Sequence, residues 1–315
     1  MSETNAEQLR TVVIPEHSDG QRADAVLAEL LGVSRSQAAA LLSAGRVTVD
    51  AATLAKSTRV EAGTVLTVRE PEVSAQSAAA AASAGVRLDV LWEDEDIVVV
   101  DKPVGVAAHG SPGWVGPTVI DSLRASGYRI STSGAPERAG IVHRLDVGTS
   151  GAMAVAKTER AYTGLKQAFK DRTVNKVYHT VVQGLPDPLH GTIDAPIGRH
   201  PGHDWRFAVL EDGRPSITDY EVLEAFGRAS LVEVHLRTGR THQIRVHFSA
   251  LHHPCAGDLT YGADPRLAAE LGLTRQWLHA RTLGFTHPVT GDWIEVTSEY
   301  PSDLDYALEV LRGPA

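Results

Sequence analysis

The segment GIVHRLDVGTSGAMAVAKT, residues 140–158, places His143, Arg144 and Asp146 in one short polar stretch between two apolar runs. The flanking glycines allow backbone conformations that other residues resist, so the segment can form a rigid turn. A carboxylate held beside a guanidinium can act as a nucleophile or as a base. The alternative is a surface turn in which Asp146 caps the backbone or pairs with Arg144, and for an isolated Arg-Leu-Asp tripeptide it would be preferred.

A second segment, LRTGRTHQIRVHF at residues 236–248, carries Arg237, Arg240 and Arg245 where a strand runs into a glycine turn and then a helix. Arginine is always charged and binds phosphate or carboxylate groups bidentately. One of these arginines is therefore a natural partner for Asp146. The alternative is a solvated helix start.

The segment NKVYHTVVQG, residues 175–184, has the alternation of a strand, which places Lys176, Tyr178 and Thr180 on one face. A phenol ring there offers a surface that can stack on a nucleic-acid base. A lone tyrosine on a strand is more often part of a core or an interface.

Positive charge is concentrated between residues 157 and 176, although the whole chain is acidic. Only two acidic residues, Glu159 and Asp171, lie in this segment. The basic residues are Lys157, Arg160, Lys166, Lys170, Arg172 and Lys176. Such a stripe is typical of a phosphate-binding surface, and a solvated helix face is the alternative.

The elements that must position these residues follow from hydrophobic periodicity. Alternating or continuous apolar runs predict strands at 46–50, 64–70, 95–103, 151–157, 174–183, 217–223, 231–237, 282–286 and 293–297. Helical spacing predicts two short helices between residues 22 and 45, and further helices around 162–169, 244–251 and 303–312. Strands outnumber helices and do not alternate regularly with them. The sequence therefore predicts an α+β fold, with a mixed, mainly antiparallel central sheet and flanking helices.

Residues 72–85, EVSAQSAAAAASAG, are rich in Ala and Ser and have no apolar periodicity, so they are predicted to be a linker. We expect four segments along the chain. They are a flexible N-terminus at 1–10, a small α+β domain at 11–70, the linker at 71–86 and a larger domain at 87–315.

Composition limits the classes of function. The single cysteine, Cys255, permits no intrachain disulfide. No signal peptide and no run of about 18 apolar residues is visible. We therefore expect a cytoplasmic protein without a membrane span. His242 and His247 are five residues apart and lie off a common helix face, which argues against a metal site. The formal charge of −9 excludes indiscriminate coating of nucleic acid.

Several motifs recur in the order found in RluA/RluD-type pseudouridine synthases, which isomerise uridine within RNA, and the chain resembles that family from residue 88 to about 300. The motifs are DKPVGVAAHG from 101, HRLDVGTSG from 143, KVY from 176, GRTHQIRVH from 239, GDLTYG from 257, LHA from 278 and then FTHPVTG. Residues 11–70 resemble the small RNA-binding domain of the ribosomal-protein-S-four type, which often precedes this catalytic domain.

The resemblance implies roles for individual residues. It makes Asp146 the essential aspartate, Tyr178 the tyrosine that packs against the target uracil and Arg245 the ion-pair partner of the aspartate. Arg144 matches an arginine that helps to displace the target nucleotide. The other expected substrate-binding residues are His109, His143, Thr149, Lys176, Arg240, His242 and Gln243, and in the small domain Arg35 and Arg46 are expected to contact RNA.

The expected function is therefore isomerisation of uridine in RNA, and the expected substrate is large-subunit ribosomal RNA. We expect a monomer that uses no metal and no cofactor. Three alternatives remain open at this point. They are a non-catalytic RNA-binding factor for ribosome assembly, a synthase directed at transfer RNA, and a nucleoside hydrolase that uses Asp146. Loss of the aspartate or the tyrosine would be the mark of the first alternative, and both residues are present.

Overall fold

The computed structural model describes residues 7–31, 35–49, 52–71, 85–111, 114–203 and 206–313. The chain divides into two compact units, the first with residues 1–81 and 111–115 and the second with residues 82–110 and 116–315. The division at residue 81 falls within the segment predicted to be a linker. Residues 72–84 of that segment lie outside the described residues.

The first unit packs two helices, α1 (Ala23–Leu31) and α2 (Arg35–Ser43), with a small antiparallel sheet. The strands are β1 (Glu7–Val13), β2 (Val47–Val49), β3 (Ala52–Thr53) and β4 (Val65–Pro71), in the order β1-β4-β2-β3. Apolar side chains from the helices and the sheet form its core, among them Val26, Leu27, Leu42, Leu66 and Val68. A small α+β domain was predicted here, and the structure confirms it.

The expected flexible N-terminus is wrong for residues 7–10, which belong to β1. Their backbone pairs with the end of β4 in a register that runs from Glu7 opposite Pro71 to Arg10 opposite Val68. The polar sequence EQLR gave no alternating signal, but an edge strand needs only its backbone to pair. Residues 1–6 lie outside the described part of the chain.

The second unit is built on a nine-stranded sheet with the order β5-β6-β7-β14-β8-β13-β12-β9, in which β15 pairs with β14. Its strands are β5 (Asp89–Glu93), β6 (Ile97–Lys102), β7 (Ser150–Ala156), β8 (Asn175–Gln183), β9 (His190–Asp194), β12 (Ile217–Ala225), β13 (Ala229–Leu236), β14 (Leu278–Thr286) and β15 (Trp293–Thr297). Strands β10 (Ile197–Arg199) and β11 (Phe207–Val209) form a separate hairpin.

Helices accompany this sheet: α3 (Val119–Ala125), α4 (Glu159–Asp171), α5 (Gln243–Ala250), α6 (Pro265–Glu270) and α7 (Ser302–Arg312). Every pair in the sheet is antiparallel except β7 with β14, which is parallel. The predicted α+β class with a mixed, mainly antiparallel sheet is therefore confirmed. Across the described ranges, no helix has the length and apolar character needed to cross a bilayer.

Sequence periodicity missed the elements whose side chains lack a clear alternation, namely β1, β3, β5, β9, the β10–β11 hairpin, α3 and α6. It also placed the start of β14 at residue 282, whereas the strand begins at Leu278. The first residues of β14, Leu278 to Arg281, mix polar and apolar types. His279 is fully buried there because Ser150 Oγ and the Ser298 carbonyl satisfy its ring nitrogens at 3.0 and 3.1 Å.

The centre of the sheet is buried on both faces. Along β6 and β7, Val98, Val100, Met153 and Val155 belong to one apolar cluster. Their neighbours on the same strands, such as Ile97 and Val99, belong to another. This alternation explains why both strands read as continuous apolar runs, which is typical of central strands covered on each side.

The parallel contact of β7 with β14 depends on Gly151. Gly151 has a φ of +117°, and a Cβ at this position would lie 2.3 Å from the Ala280 carbonyl oxygen and 2.7 Å from its nitrogen. Because those atoms are backbone atoms in the middle of the sheet, they cannot move aside cheaply. Only glycine lets the two strands approach this closely.

Lys102 ends β6 and is fully buried. Its ammonium donates hydrogen bonds to the carbonyls of Pro103 and Val106, both at 2.9 Å. Burial lowers the pKa of Lys102 from 10.5 to about 7, and the charge of Asp146 opposes this shift only in part. The charged form of Lys102 is therefore less stable in the folded protein than it would be in water.

Gly151→Ala is expected to destabilise the protein by about 2–4 kcal/mol, because it adds backbone overlap to a strained φ. The measurement is urea-induced unfolding of the purified variant. Gly110→Ala is the matched control, since nothing lies within 4 Å of a Cβ at that position. Equal unfolding midpoints for the two variants would contradict the close approach at Gly151.

Lys102→Met is expected to flatten the pH dependence of stability. Between pH 7 and pH 10.5 the unfolded chain keeps the lysine proton and the folded chain releases it, so the free energy of unfolding rises with pH across this window. Urea unfolding at several pH values between 7 and 10 measures the slope. The exposed Lys166→Met variant should keep the wild-type slope, and an unchanged slope in Lys102→Met would refute the expectation.

Candidate active site

Asp146 lies in a tight turn directly before β7. The turn is closed by a 3.0 Å hydrogen bond from the Thr149 N–H to the Asp146 carbonyl. The side chain of Gln276 covers the turn and donates to Thr149 Oγ1 at 3.3 Å, and a Cβ on Gly148 would lie 2.6 Å from Gln276 Oε1. The backbone that carries Asp146 is therefore fixed from both sides.

Arg275 ties the same turn to the last helix. Its Nη1 donates to the Gly148 carbonyl at 3.1 Å and to Ser150 Oγ at 3.2 Å. Its other donors, Nε and Nη2, bind Asp303 in α7 at 2.7 and 2.9 Å. A bidentate pair of this kind fixes the direction of the guanidinium, so α7 contributes to the position of the turn.

Arg245 in α5 lies between two carboxylates. Its Nε and Nη2 donate to Asp258 at 2.6 and 3.0 Å, and its Nη1 donates to Asp146 Oδ2 at 3.3 Å. Burial alone would lower the pKa of Arg245, but the hydrogen bonds and charge of Asp258, and then the charge of Asp146, outweigh it and raise that pKa. The expected pairing of Arg245 with Asp146 is thus present in the structure.

Tyr178 in β8 is buried in the main core cluster, and its side chain lines the same cavity as Asp146. Burial, with the nearby charge of Asp146, raises the pKa of its phenol above the ordinary value. No residue in the described part of the chain makes a hydrogen bond to its hydroxyl. The hydroxyl is therefore protonated and available to a molecule in the cavity.

These residues surround a cavity of about 590 Å³, a size usual for small-ligand sites. Its lining includes many cations: Arg138, Arg144, Lys170, Arg172, Lys176, Arg237 and Arg240. Burial, and then the charge of Arg172, lowers the pKa of Lys176 to about 8. A cavity with this positive lining attracts anionic ligands.

The basic stripe predicted between residues 157 and 176 divides into two parts. Lys170, Arg172 and Lys176 line the cavity. Arg160 instead makes a bidentate pair with the buried Asp96 at 2.8 and 2.9 Å. The C-terminal part of the stripe therefore lines the cavity, whereas Arg160 helps to hold α4 against the rest of the unit.

His143 and Gln243, both expected to bind substrate, have structural partners. His143 Nε2 accepts the Ala154 N–H at 2.9 Å, its ring stacks on Phe169 at 4.5 Å, and burial lowers its pKa to about 3. Gln243 Oε1 accepts from the Thr238 hydroxyl and the Arg240 N–H, at 2.8 and 3.0 Å.

The amide nitrogen of Gln243 donates to the Ile217 carbonyl and to Thr218 Oγ1, at 3.0 and 2.9 Å. Both ends of the amide are thus engaged in holding the turn between β13 and α5. The expectation that Gln243 binds substrate is not favoured, because a ligand would have to displace these bonds.

The other expected substrate-binding residues line the cavity and make fewer hydrogen bonds to the rest of the protein. Arg144 is exposed, and His109 Nδ1 lies 2.6 Å from the Gly110 carbonyl. Arg240 Nε donates to the Pro215 carbonyl at 3.2 Å. His242 lies next to Asp146, with 3.8 Å between its Nε2 and Asp146 Oδ2.

In the first unit, Arg35 begins α2 and Arg46 is half-buried just before β2. The side chain of Arg35 lies outside the described parts of the structure. Their expected contacts with RNA stay predictions.

Sequence reasoning missed Asp258, Tyr261 and Arg275 as site residues. Tyr261 covers the guanidinium of Arg245 at 4.9 Å, and its hydroxyl lies 2.8 Å from His242 Nδ1. The motif GDLTYG contains Asp258 and Tyr261, so its recurrence in the family indicated that these two residues could belong to the site. Their contacts with α5 could not be read from it.

One group outside the cavity has the residue types of a metal site, namely Asp94, Asp96 and His287, whose ligand atoms all lie within 4.8 Å. Arg160 already occupies both oxygens of Asp96. His287 Nδ1 accepts the Thr290 N–H at 3.1 Å, so the ring proton lies on Nε2, which is 3.0 Å from Asp94 Oδ2. The approach to Asp94 lacks hydrogen-bond geometry. A metal bound at Nε2 would require the ring proton on Nδ1, which the Thr290 N–H excludes, so this group is not assigned as a metal site.

Comparison with known proteins identifies two families along the chain. Residues 96–250 match the family described as RNA pseudouridylate synthase, and residues 21–66 match the S4 domain. The human RNA pseudouridylate synthase domain containing 1 has a solved structure with a TM-score of 0.56 and 32% identity, over 70% of this chain and 87% of that chain.

Two relatives align over almost their whole length. A protein of Mycobacterium bovis named as an uncharacterized RNA pseudouridine synthase is 59% identical over 304 residues, which cover 96% of this chain and 98% of that protein. The ribosomal large subunit pseudouridine synthase D of Pseudomonas aeruginosa is 39% identical over 313 residues, which cover 96% of each chain. The resemblance found in the motifs is therefore confirmed, and the chain belongs to the RNA pseudouridine synthase family, with an S4 domain before the isomerase domain.

Proposed function

We propose that the enzyme isomerises uridine in large-subunit ribosomal RNA and that Asp146 is its catalytic carboxylate. The observation that carries the site assignment is the place of Asp146 in the basic cavity, with Oδ2 held 3.3 Å from Arg245 Nη1. The substrate assignment is supported by the relative from Pseudomonas aeruginosa, which is named for the large ribosomal subunit and aligns over 96% of this chain.

The reaction makes clear demands on such a site. The bond between C1′ of the sugar and N1 of uracil breaks, the uracil rotates, a bond forms between C1′ and C5, the C5 proton leaves, and N1 gains a proton. Atoms and electrons balance without an oxidant or an energy source. A carboxylate serves this sequence as a nucleophile or as a base, and Arg245 Nη1, 3.3 Å from Asp146 Oδ2, holds that carboxylate in place for either role.

The detached uracil must be held so that rejoining is faster than its loss to water. The position of Tyr178 supports a part in this, because Tyr178 lines the cavity that contains Asp146. We assign its ring to packing against the uracil. Its raised pKa makes the phenol a poor proton acceptor near neutral pH, so the hydroxyl acts as a hydrogen-bonding group.

The cations around the cavity suit the phosphates that flank the target nucleotide. A uridine stacked in RNA cannot reach Asp146, so it must be flipped out, and the exposed Arg144 is our candidate to fill the gap. The S4 unit adds a second RNA-binding element on the same chain, which raises the effective concentration of the isomerase domain near a structured RNA.

Asp146→Asn is expected to slow isomerisation by about 1,000-fold or more, because the amide keeps the size of the side chain and loses its charge. RNA affinity should stay within about threefold, since the phosphate contacts are unchanged. Asp305→Asn, an exposed position in α7, is the matched control and should retain full activity. Normal turnover by pure Asp146→Asn would refute the assignment.

The substrate is tested by incubating the enzyme with unmodified transcripts of large-subunit ribosomal RNA and of transfer RNAs, followed by mapping of pseudouridine with carbodiimide. We expect one or a few modified uridines in the ribosomal transcript. Preferential modification of transfer RNA would contradict the proposed substrate. Release of free uracil would identify a hydrolase instead.

A further inference from the structure

His242, the N-cap residue of α5, has an unusual backbone conformation. It precedes α5 with a φ of 58° and a ψ of 21°, in the left-handed region that residues with a Cβ rarely adopt. A non-glycine residue kept in this conformation beside a cavity suggests that its side chain is needed there. The ring is clamped edge-on by Phe207 at 5.7 Å and by Tyr261 at 5.6 Å.

The hydrogen bonds around Tyr261 fix the proton on the imidazole. The Phe207 N–H can only donate, and it donates to the Tyr261 hydroxyl oxygen at 3.1 Å. That hydroxyl also lies 2.8 Å from His242 Nδ1. Because Tyr261 is buried, its own hydrogen needs an acceptor, and Nδ1 is the acceptor within reach among the described residues. The proton of the neutral ring therefore lies on Nε2.

The protonated nitrogen faces the candidate catalytic carboxylate. His242 Nε2 lies 3.8 Å from Asp146 Oδ2, the same oxygen that Arg245 Nη1 contacts at 3.3 Å. No described residue makes a hydrogen bond to Oδ1. Two donors thus converge on one oxygen and leave the other open. Burial lowers the pKa of His242, in spite of the charge of Asp146, so the ring contributes an N–H and not a charge near neutral pH.

We propose that His242 is a positioning residue for Asp146. The Nε2–H of His242 holds Oδ2 of Asp146, so that Oδ1 of Asp146 faces the uridine. This inference rests on the proposed role of Asp146 as the catalytic carboxylate. The distance of 3.8 Å is longer than a hydrogen bond, and contacts of this kind tighten when substrate fills a site. Tyr261, fixed by the backbone of β11, selects the tautomer and so acts one step further from the reaction.

The matched variants His242→Gln and His242→Asn separate the two ends of the ring. The Gln amide can place an N–H near the position of Nε2, whereas the shorter Asn amide reaches only as far as Nδ1, and Asn also accepts the left-handed backbone. We expect His242→Asn to lower the single-turnover rate by about 10- to 100-fold, while KM stays within about threefold. His242→Gln should recover most of that loss.

A direct readout of the tautomer does not depend on activity. In enzyme labelled with ¹⁵N-histidine, the signals of His242 are those that disappear in His242→Gln, and we expect them to show a neutral ring protonated at Nε2. Tyr261→Phe keeps the ring that covers Arg245 and removes the hydroxyl, so both tautomers should then appear.

A wild-type ring protonated at Nδ1 would overturn the inference, as would equal rates for wild type and His242→Asn or equal losses in the Asn and Gln variants. These outcomes are distinct from failure of the proposed function. An active Asp146→Asn variant would refute the catalytic carboxylate, whereas an inactive Asp146→Asn with a fully active His242→Asn would refute only the positioning role.

Discussion

The candidate site depends on one guanidinium shared by two carboxylates. Arg245 uses two donors for Asp258 and has a third directed at Asp146. The bidentate pair with Asp258 is buried, so it sets the plane of the guanidinium, and the remaining donor then determines where Asp146 Oδ2 lies. Without the cation, the two nearby carboxylates would repel each other.

The fold supplies this pair from elements that are distant along the chain. Asp146 is presented by the turn before β7, and α7 fixes that turn through Arg275. Arg245 comes from the start of α5, where Gln243 ties the helix to β12. The central sheet brings these two regions together, so changes in sheet packing are expected to reach the site. A misplacement of about 1 Å in such a constellation can cost about 100-fold in rate.

Sequence reasoning succeeded where a pattern has a local cause. Continuous apolar runs located β6 and β7, complementary charge suggested that an arginine of residues 236–248 pairs with Asp146, and the family resemblance singled out Arg245. It was silent where the cause is spatial. The motif that contains Gln243 does not reveal that its amide is engaged on both sides by β12 and the adjacent turn. The role of Asp258 depends on the direction of one guanidinium, which no spacing along the chain reveals.

Whether the fork of Arg245 aims the proposed catalytic carboxylate, Asp146, is tested most directly by the single-turnover rate of Arg245→Lys on the proposed substrate, ribosomal RNA. Lysine keeps the charge but cannot bind Asp258 bidentately and reach Asp146 as well. We expect a rate about 100-fold below wild type, with RNA affinity and folding preserved. Arg228→Lys, an exposed pair with Glu270, is the control. A wild-type rate for Arg245→Lys would contradict the account.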